Sequence, residues 1–393
     1  MSEKEQPQDQ DFEKGTFGYD YEFLSKYYSK LILLRQEEDS AMVIISPEVQ
    51  GRVMTSSARG MAGSSFGWIN YDLIASGKIA PQMHAVGGEE RFWLGPEGGQ
   101  FAYYFEPGED FNFDNWQVPK EIDSEPFEVV SVSEREANFS KLISLVNHSS
   151  NQFQIQVQRD IKLLSRDEQR EYLGLEVPSV VKSVAVESKN TIINRGEENW
   201  TESYGMPSIW ILSMLNPSPE TVIILPYRSG PEQRLGPIVN DTYFGKIDED
   251  RLSIDEKIIY FKADGLKRGK IGLSPQRASP IAGSYDARNQ VLTIAMFTLP
   301  SNAKYVNSMW ELQKDPFSGD AVNAYNDGPQ ADGSIMGPFY EIESSSPAAN
   351  LKSGESMTHY HRTFHFVGNF EELNGLSKTL LGADLNEVAS VFK

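Results

Sequence analysis

Residues 337–366 read GPFYEIESSSPAANLKSGESMTHYHRTFHF, two β-prone runs separated by a Ser/Pro/Gly-rich segment. Side chains alternate across a strand, so Glu341 and Glu343, two apart in the first run, leave the same face of a sheet. In the second run His359, His361, Thr363 and His365 alternate with Tyr360, Arg362, Phe364 and Phe366. That period of two predicts one packed face and one polar face.

The same pattern recurs outward along the chain. Segments 30–35 (KLILLR), 41–46 (AMVIIS) and 52–56 (RVMTS) are short β-rich runs, and 152–161 (QFQIQVQRDI) alternates strictly. Segments 209–215 (IWILSML) and 222–225 read as buried strands, and 180–186, 190–194, 257–263, 270–273 and 291–299 add further strands. Strands do not alternate with amphipathic helices, so a parallel α/β sheet is not expected. Helix is expected near each terminus. One is capped by Asp20 and runs to Tyr28; the other is capped by Asn369, carries the stripe Phe370, Leu373, Leu376 and Leu380, and closes at Gly382.

Composition bounds the function. The 393 residues include 21 Phe, 17 Tyr and 6 Trp, enough for a large core, and no apolar run approaches the ~18–20 residues that cross a bilayer. A net charge of −20 argues against nucleic acid, whose phosphates need clustered Lys and Arg. A neutral ligand such as a carbohydrate meets no such repulsion. With no cysteine, disulfides, thiolate nucleophiles and Cys-ligated metals are excluded. Residues 1–18 predict a disordered acidic tether ahead of one domain, 19–393. The tether has no apolar signal core. Its composition matches a segment left after a signal or lipid-anchor site is cleaved, which favours an exported, periplasmic or cell-envelope location over the cytoplasm.

Three segments carry candidate chemistry. In 84–105 (HAVGGEERFWLGPEGGQFAYYF), Arg91, Trp93 and Glu97 lie between two Gly-Gly pairs. Sugars are bound by that mixture, an aromatic ring for their C–H faces and charged groups for their hydroxyls; a core Trp beside a surface ion pair is the plainer alternative. In 321–328 (AVNAYNDG), Asn326 and Asp327 are turn formers that can also face a ligand or, with Asp320, hold Ca²⁺; no other cofactor is implied. Lys270, with Arg268 nearby, places cations on another strand or on a solvated face.

Taken in order, Arg-x-Trp-x-x-Pro-Glu at 91–97, Asn-x-Gly at 194–196, Lys-Ile-Gly at 270–272, Glu-x-Glu-x-x-Ser-Pro at 341–347 and Leu-x-x-Gly-Glu through Glu355 resemble the galactose mutarotase-like (aldose 1-epimerase) superfamily, in its uncharacterised bacterial branches, over residues 30–366. The resemblance implies an antiparallel β-supersandwich whose concave face holds a sugar. It further implies a glutamate that takes the anomeric proton, matched by Glu343 or its neighbour Glu341, with Arg91 and Lys270 as substrate contacts. The family's acid histidine belongs on the strand after the Asn-x-Gly turn, where this chain has Ser208-Ile209-Trp210-Ile211. His84 is a replacement for it or a structural residue. The expectations are therefore an epimerase-like isomerase acting at an anomeric carbon, or a non-catalytic carbohydrate-binding protein with the same cleft. A polysaccharide lyase or glycosidase fits less well, because Glu341 and Glu343 on one strand cannot flank a scissile bond from opposite sides.

Overall fold

The computed structural model describes residues 12–36, 40–330 and 333–393. The described residues are mainly antiparallel β, arranged in three sheets, with helices near both ends. The largest sheet has ten strands in the order Leu252–Ile254, Ile258–Lys262, Thr221–Pro226, Ile281–Asp286, Val291–Phe297, Ser356–Val367, Lys182–Asn194, Gln152–Leu163, Glu136–Val146 and Glu128–Val132. A five-stranded sheet runs Gly269–Leu273, Val322–Asn326, Tyr340–Ser345, Ser208–Leu212, Arg91–Gly95. The third joins Ile32–Gln36, Ala41–Ser46 and Arg52–Ser57. This is the β-supersandwich expected from the sequence.

The two runs read from 337–366 belong to different sheets that face each other. Tyr340–Ser345 is central in the five-stranded sheet, and Ser356–Val367 is central in the ten-stranded one. Between them lies an apolar core that includes Ile223, Ile259, Phe261, Ile271, Phe297 and Ile342. Polar groups there are bonded across the gap, as burial requires. Ser344 Oγ lies 2.9 Å from His359 Nε2 and 2.8 Å from His361 Nδ1, and Tyr340 Oη lies 2.8 Å from Ser284 Oγ. The face of histidines read as polar is thus buried, with His359, His361 and His365 each no more than 1% exposed. Burial pushes the His359 and His361 rings down to about 3, with each other's proximity adding to the effect on His361.

Several boundaries differ from the sequence reading. The first helix is Phe17–Tyr27, capped by Thr16, whose hydroxyl accepts from the Tyr19 N–H. Asp20 is not its cap: it is buried and accepts a hydrogen bond from the Tyr71 hydroxyl. Order therefore begins before residue 18, because Phe17 packs in an apolar cluster with Leu24, Ile44 and Met54; residues 1–11 of the expected tether lie outside the described residues. The strands expected at 180–186 and 190–194 are one strand, Lys182–Asn194, continuous because its backbone pairs without a break with Ser356–Val367 from Lys182 to Ile193. At the other end, Asn369 does cap Phe370–Leu380. No helix among the described residues is long and apolar enough to cross a membrane.

Candidate functional site

The site grows from the outward face of the five-stranded sheet. Alternation along Tyr340–Ser345 sends Tyr340, Ile342 and Ser344 into the core between the sheets, and Glu341 and Glu343 to the other side. Two cations meet them from strands that each lie one strand away. Arg91 Nη2 is 2.5 Å from Glu341 Oε1, and Lys270 Nζ is 3.0 Å from Glu343 Oε2. The pairs are diagonal. In register, Lys270 lies across Tyr325 from Glu341, while Arg91 lies across Leu212 from Glu343, yet each cation reaches the other carboxylate. The strands on both sides are therefore tied to the central one by crossed ion pairs.

Aromatic rings complete this layer. Trp210 donates its indole N–H to Glu343 Oε2 at 2.9 Å, so that one oxygen accepts twice. Trp93 packs edge-on against Trp210, 5.6 Å between centroids. Arg91 sits 4.8 Å over the Trp93 ring and Lys270 4.8 Å over that of Trp210, cation–π contacts that hold each charge without another carboxylate.

Above this layer lies a two-lobed cleft. The larger lobe is a cavity of about 460 Å³ walled by Glu97, Tyr243, Phe244, Arg268, Lys270 and Trp310, among others. The smaller, about 80 Å³, reaches down to Arg91, Trp93, Trp210 and Glu341. Glu97, Phe244, Arg268 and Lys270 line both lobes, so the two are continuous. The cleft reaches Glu341; Glu343 is fully buried beneath Lys270 and Trp210.

The electrostatics divide these acids. Burial raises the Glu341 carboxyl, Arg91 pulls it back and Glu343 pushes it up again, leaving it at about 8. Glu97 is also raised, by burial first, with Lys270 opposing and Glu343 reinforcing. For Lys270, burial disfavours the ammonium, but Glu343, Glu97 and Glu341 together more than offset it and raise its pKa.

The structure gathers Arg91, Trp93, Glu97, Lys270, Glu341 and Glu343 into this one region, and sets the other expected residues elsewhere. His84 lines neither lobe, although its neighbour Met83 does. Its backbone N–H donates to Asp123 Oδ2 at 2.6 Å, its Nδ1 accepts from the Ala80 N–H, and burial lowers its pKa. Asn326 and Asp327 are structural: Asn326 Oδ1 accepts from the Gly265 N–H at 2.8 Å and its Nδ2 donates to the Lys267 carbonyl at 2.8 Å, while Asp327 accepts from the Tyr325 hydroxyl and the Gly337 N–H. The Ca²⁺ reading does not fit. Asp320 and Asp327 flank opposite ends of the strand Val322–Asn326, and Asp320 is already bonded by the Tyr243 hydroxyl at 2.6 Å. Among the described residues no three acidic or histidine groups converge on a metal position. Sequence reasoning missed Trp210, Tyr243, Phe244, Trp310 and Tyr325 as walls; the period-two placement of Trp210 with Leu212 and Met214 was the available signal.

The arrangement of the sheets is that of the galactose mutarotase-like fold. The chain is similar to the Slr1438 protein of Synechocystis sp. PCC 6803, with a TM-score of 0.52 and 11% identity over 86% of this chain and 95% of that one. It is also similar to a candidate aldose 1-epimerase of Escherichia coli K12, with a TM-score of 0.51 and 12% identity over 86% of this chain and 98% of the other. The chain belongs to DUF6786, a family of unknown function, which it matches over residues 15–392. No curated protein matches it by sequence.

Proposed function

We propose that this chain holds a sugar in the two-lobed cleft and acts at its anomeric carbon, opening and reclosing the ring so that anomers interconvert. The observation that carries this reading is Glu341, a buried carboxyl paired with Arg91 at the floor of an aromatic-walled cleft, on a fold shared with a candidate aldose 1-epimerase. Phe113, Phe244 and Trp310 wall the larger lobe with rings suited to the C–H side of a pyranose. Glu341 takes the anomeric hydroxyl proton. The O–H pair becomes the carbonyl π bond, the bond from C1 to the ring oxygen breaks, and the ring oxygen receives a proton from Glu97, which lines both lobes beside Lys270. Rotation about C1–C2 and reversal of these steps close the ring on either face. A carboxyl that titrates near neutrality suits proton exchange in both directions.

The test is to dissolve one pure anomer of D-galactose or D-glucose and follow interconversion by polarimetry or proton NMR, with and without protein. Acceleration that grows as pH rises through about 8, and that Glu341→Gln abolishes, is expected. Unchanged interconversion together with thermal stabilisation by the sugar would support the second reading, a non-catalytic sugar-binding protein. One observation favours that second reading: none of the chain's five histidines lines either lobe.

A further inference from the structure

The cations buried in the interior are paired with carboxylates or, like Arg277, bonded to backbone carbonyls; half-buried Arg268 has neither. Arg52, Arg91, Arg159, Arg251 and Lys270 are each buried within 4 Å of a carboxylate, respectively Asp123, Glu341, Glu90, Asp264 and Glu343. Arg268 lines both lobes of the cleft, yet among the described residues no carboxylate lies within ion-pair distance of it. Its Nε donates to the Tyr325 hydroxyl at 3.3 Å, and among the described residues no hydrogen bond engages either Nη. A guanidinium carries five N–H donors, so most of its fork is open toward the cleft.

That fork is held in place. Its carbon lies 3.9 Å over the Phe244 ring, and Phe244 packs edge-on against Tyr325. The loop leading to Arg268 is clamped by both ends of the Asn326 amide, on the Gly265 N–H and the Lys267 carbonyl. Gly328 presses against the same backbone, where a Cβ would come 2.5 Å from the Lys267 N and 2.7 Å from the Arg268 N. An arginine that only met solvent would need none of these supports.

Resting on the sugar-binding reading above, we propose that the sugar this cleft takes carries an anionic group, a carboxylate or a phosphate, which docks on Arg268. A planar fork binds either group with two parallel hydrogen bonds, whereas a lone hydroxyl uses only part of it. Lys270 lines the same lobes, but its charge is paired with Glu343; Glu97, Glu311 and Asp327 oppose an anion there, Glu97 and Asp327 less so because burial favours their neutral forms. The whole chain, at net −20, repels anions at long range, so selection for one falls to such a local cation.

The experiment is calorimetric titration of paired ligands: D-galactose against D-galacturonate, and D-glucose against D-glucose 6-phosphate, with acetate and inorganic phosphate alone as controls. We expect one charged sugar to bind about ten- to hundredfold more tightly than its neutral parent. The arm that shows the preference identifies carboxylate or phosphate. Arg268→Gln should erase the preference, bringing the charged sugar's affinity down to the neutral sugar's in the same variant, and Arg268→Lys should keep part of it. Phe244→Ala, which removes the platform under the guanidinium, should weaken the preference and serves as the second variant if Arg268→Gln does not fold. Equal binding of charged and neutral sugars, or a preference that survives Arg268→Gln, overturns the inference while leaving the sugar cleft standing. Absence of binding by every sugar overturns both.

Discussion

Replacing Lys270 by Met isolates the energetics under the cleft. Glu343 is fully buried, its Oε2 accepts from Lys270 Nζ at 3.0 Å and Trp210 Nε1 at 2.9 Å, and its Oε1 has no partner among the described residues. Methionine roughly fills the volume of the lysine stem, so the change removes a charge and little packing. Breaking one side of a buried pair costs roughly 3–5 kcal/mol, and the remaining Trp210 bond places this case near about 3 kcal/mol. Urea unfolding followed by tryptophan fluorescence reads the loss. Adding Glu343→Gln removes the stranded charge and should recover all but about 1 kcal/mol, a coupling of at least about 2 kcal/mol between the two positions, larger by whatever Glu343→Gln costs alone. Strictly additive single variants would refute the claim that Lys270 neutralises a buried charge.

Two further outcomes follow from groups outside the cleft. His359 and His361, lowered by burial to about 3, stay neutral in the folded protein while the unfolded chain protonates below about 6.5. Stability should then fall as pH drops from about 6.5 toward 3, with urea midpoints flattening over that window in a His359→Gln/His361→Gln variant. At Gly337 an added Cβ would land inside the Trp68 indole ring, so Gly337→Ala should destabilise by roughly 1–3 kcal/mol and shift the tryptophan emission, whereas Gly375→Ala, where a Cβ meets nothing, should not destabilise.

Period-two alternation was enough to place Glu341 and Glu343 on a common face, because that relation lies within one strand. Their counter-cations were a different matter. Arg91 lies 250 residues from Glu341 in the chain and Lys270 lies 73 from Glu343, so the meetings depend on strand order, which local pattern does not encode. The residue reading singled out both cations, but nothing in the sequence told which carboxylate each would meet or that the pairs would cross. Val322–Asn326 escaped notice as a strand for a related reason: all five residues are buried, so no alternation marks it, and the Asn-Asp-Gly-Pro run that follows reads as a turn. The histidines of Ser356–Val367 obeyed the alternation, yet the face they form is not wet. Alternation separates polar from apolar side chains. Whether the polar side meets water or another sheet depends on whether that sheet offers a group such as Ser344 to satisfy it. The same condition separates Arg268 from Lys270. Arg268 precedes and Lys270 lies within the strand Gly269–Leu273; Glu343 turns Lys270 into a strut, while Arg268 meets the cleft.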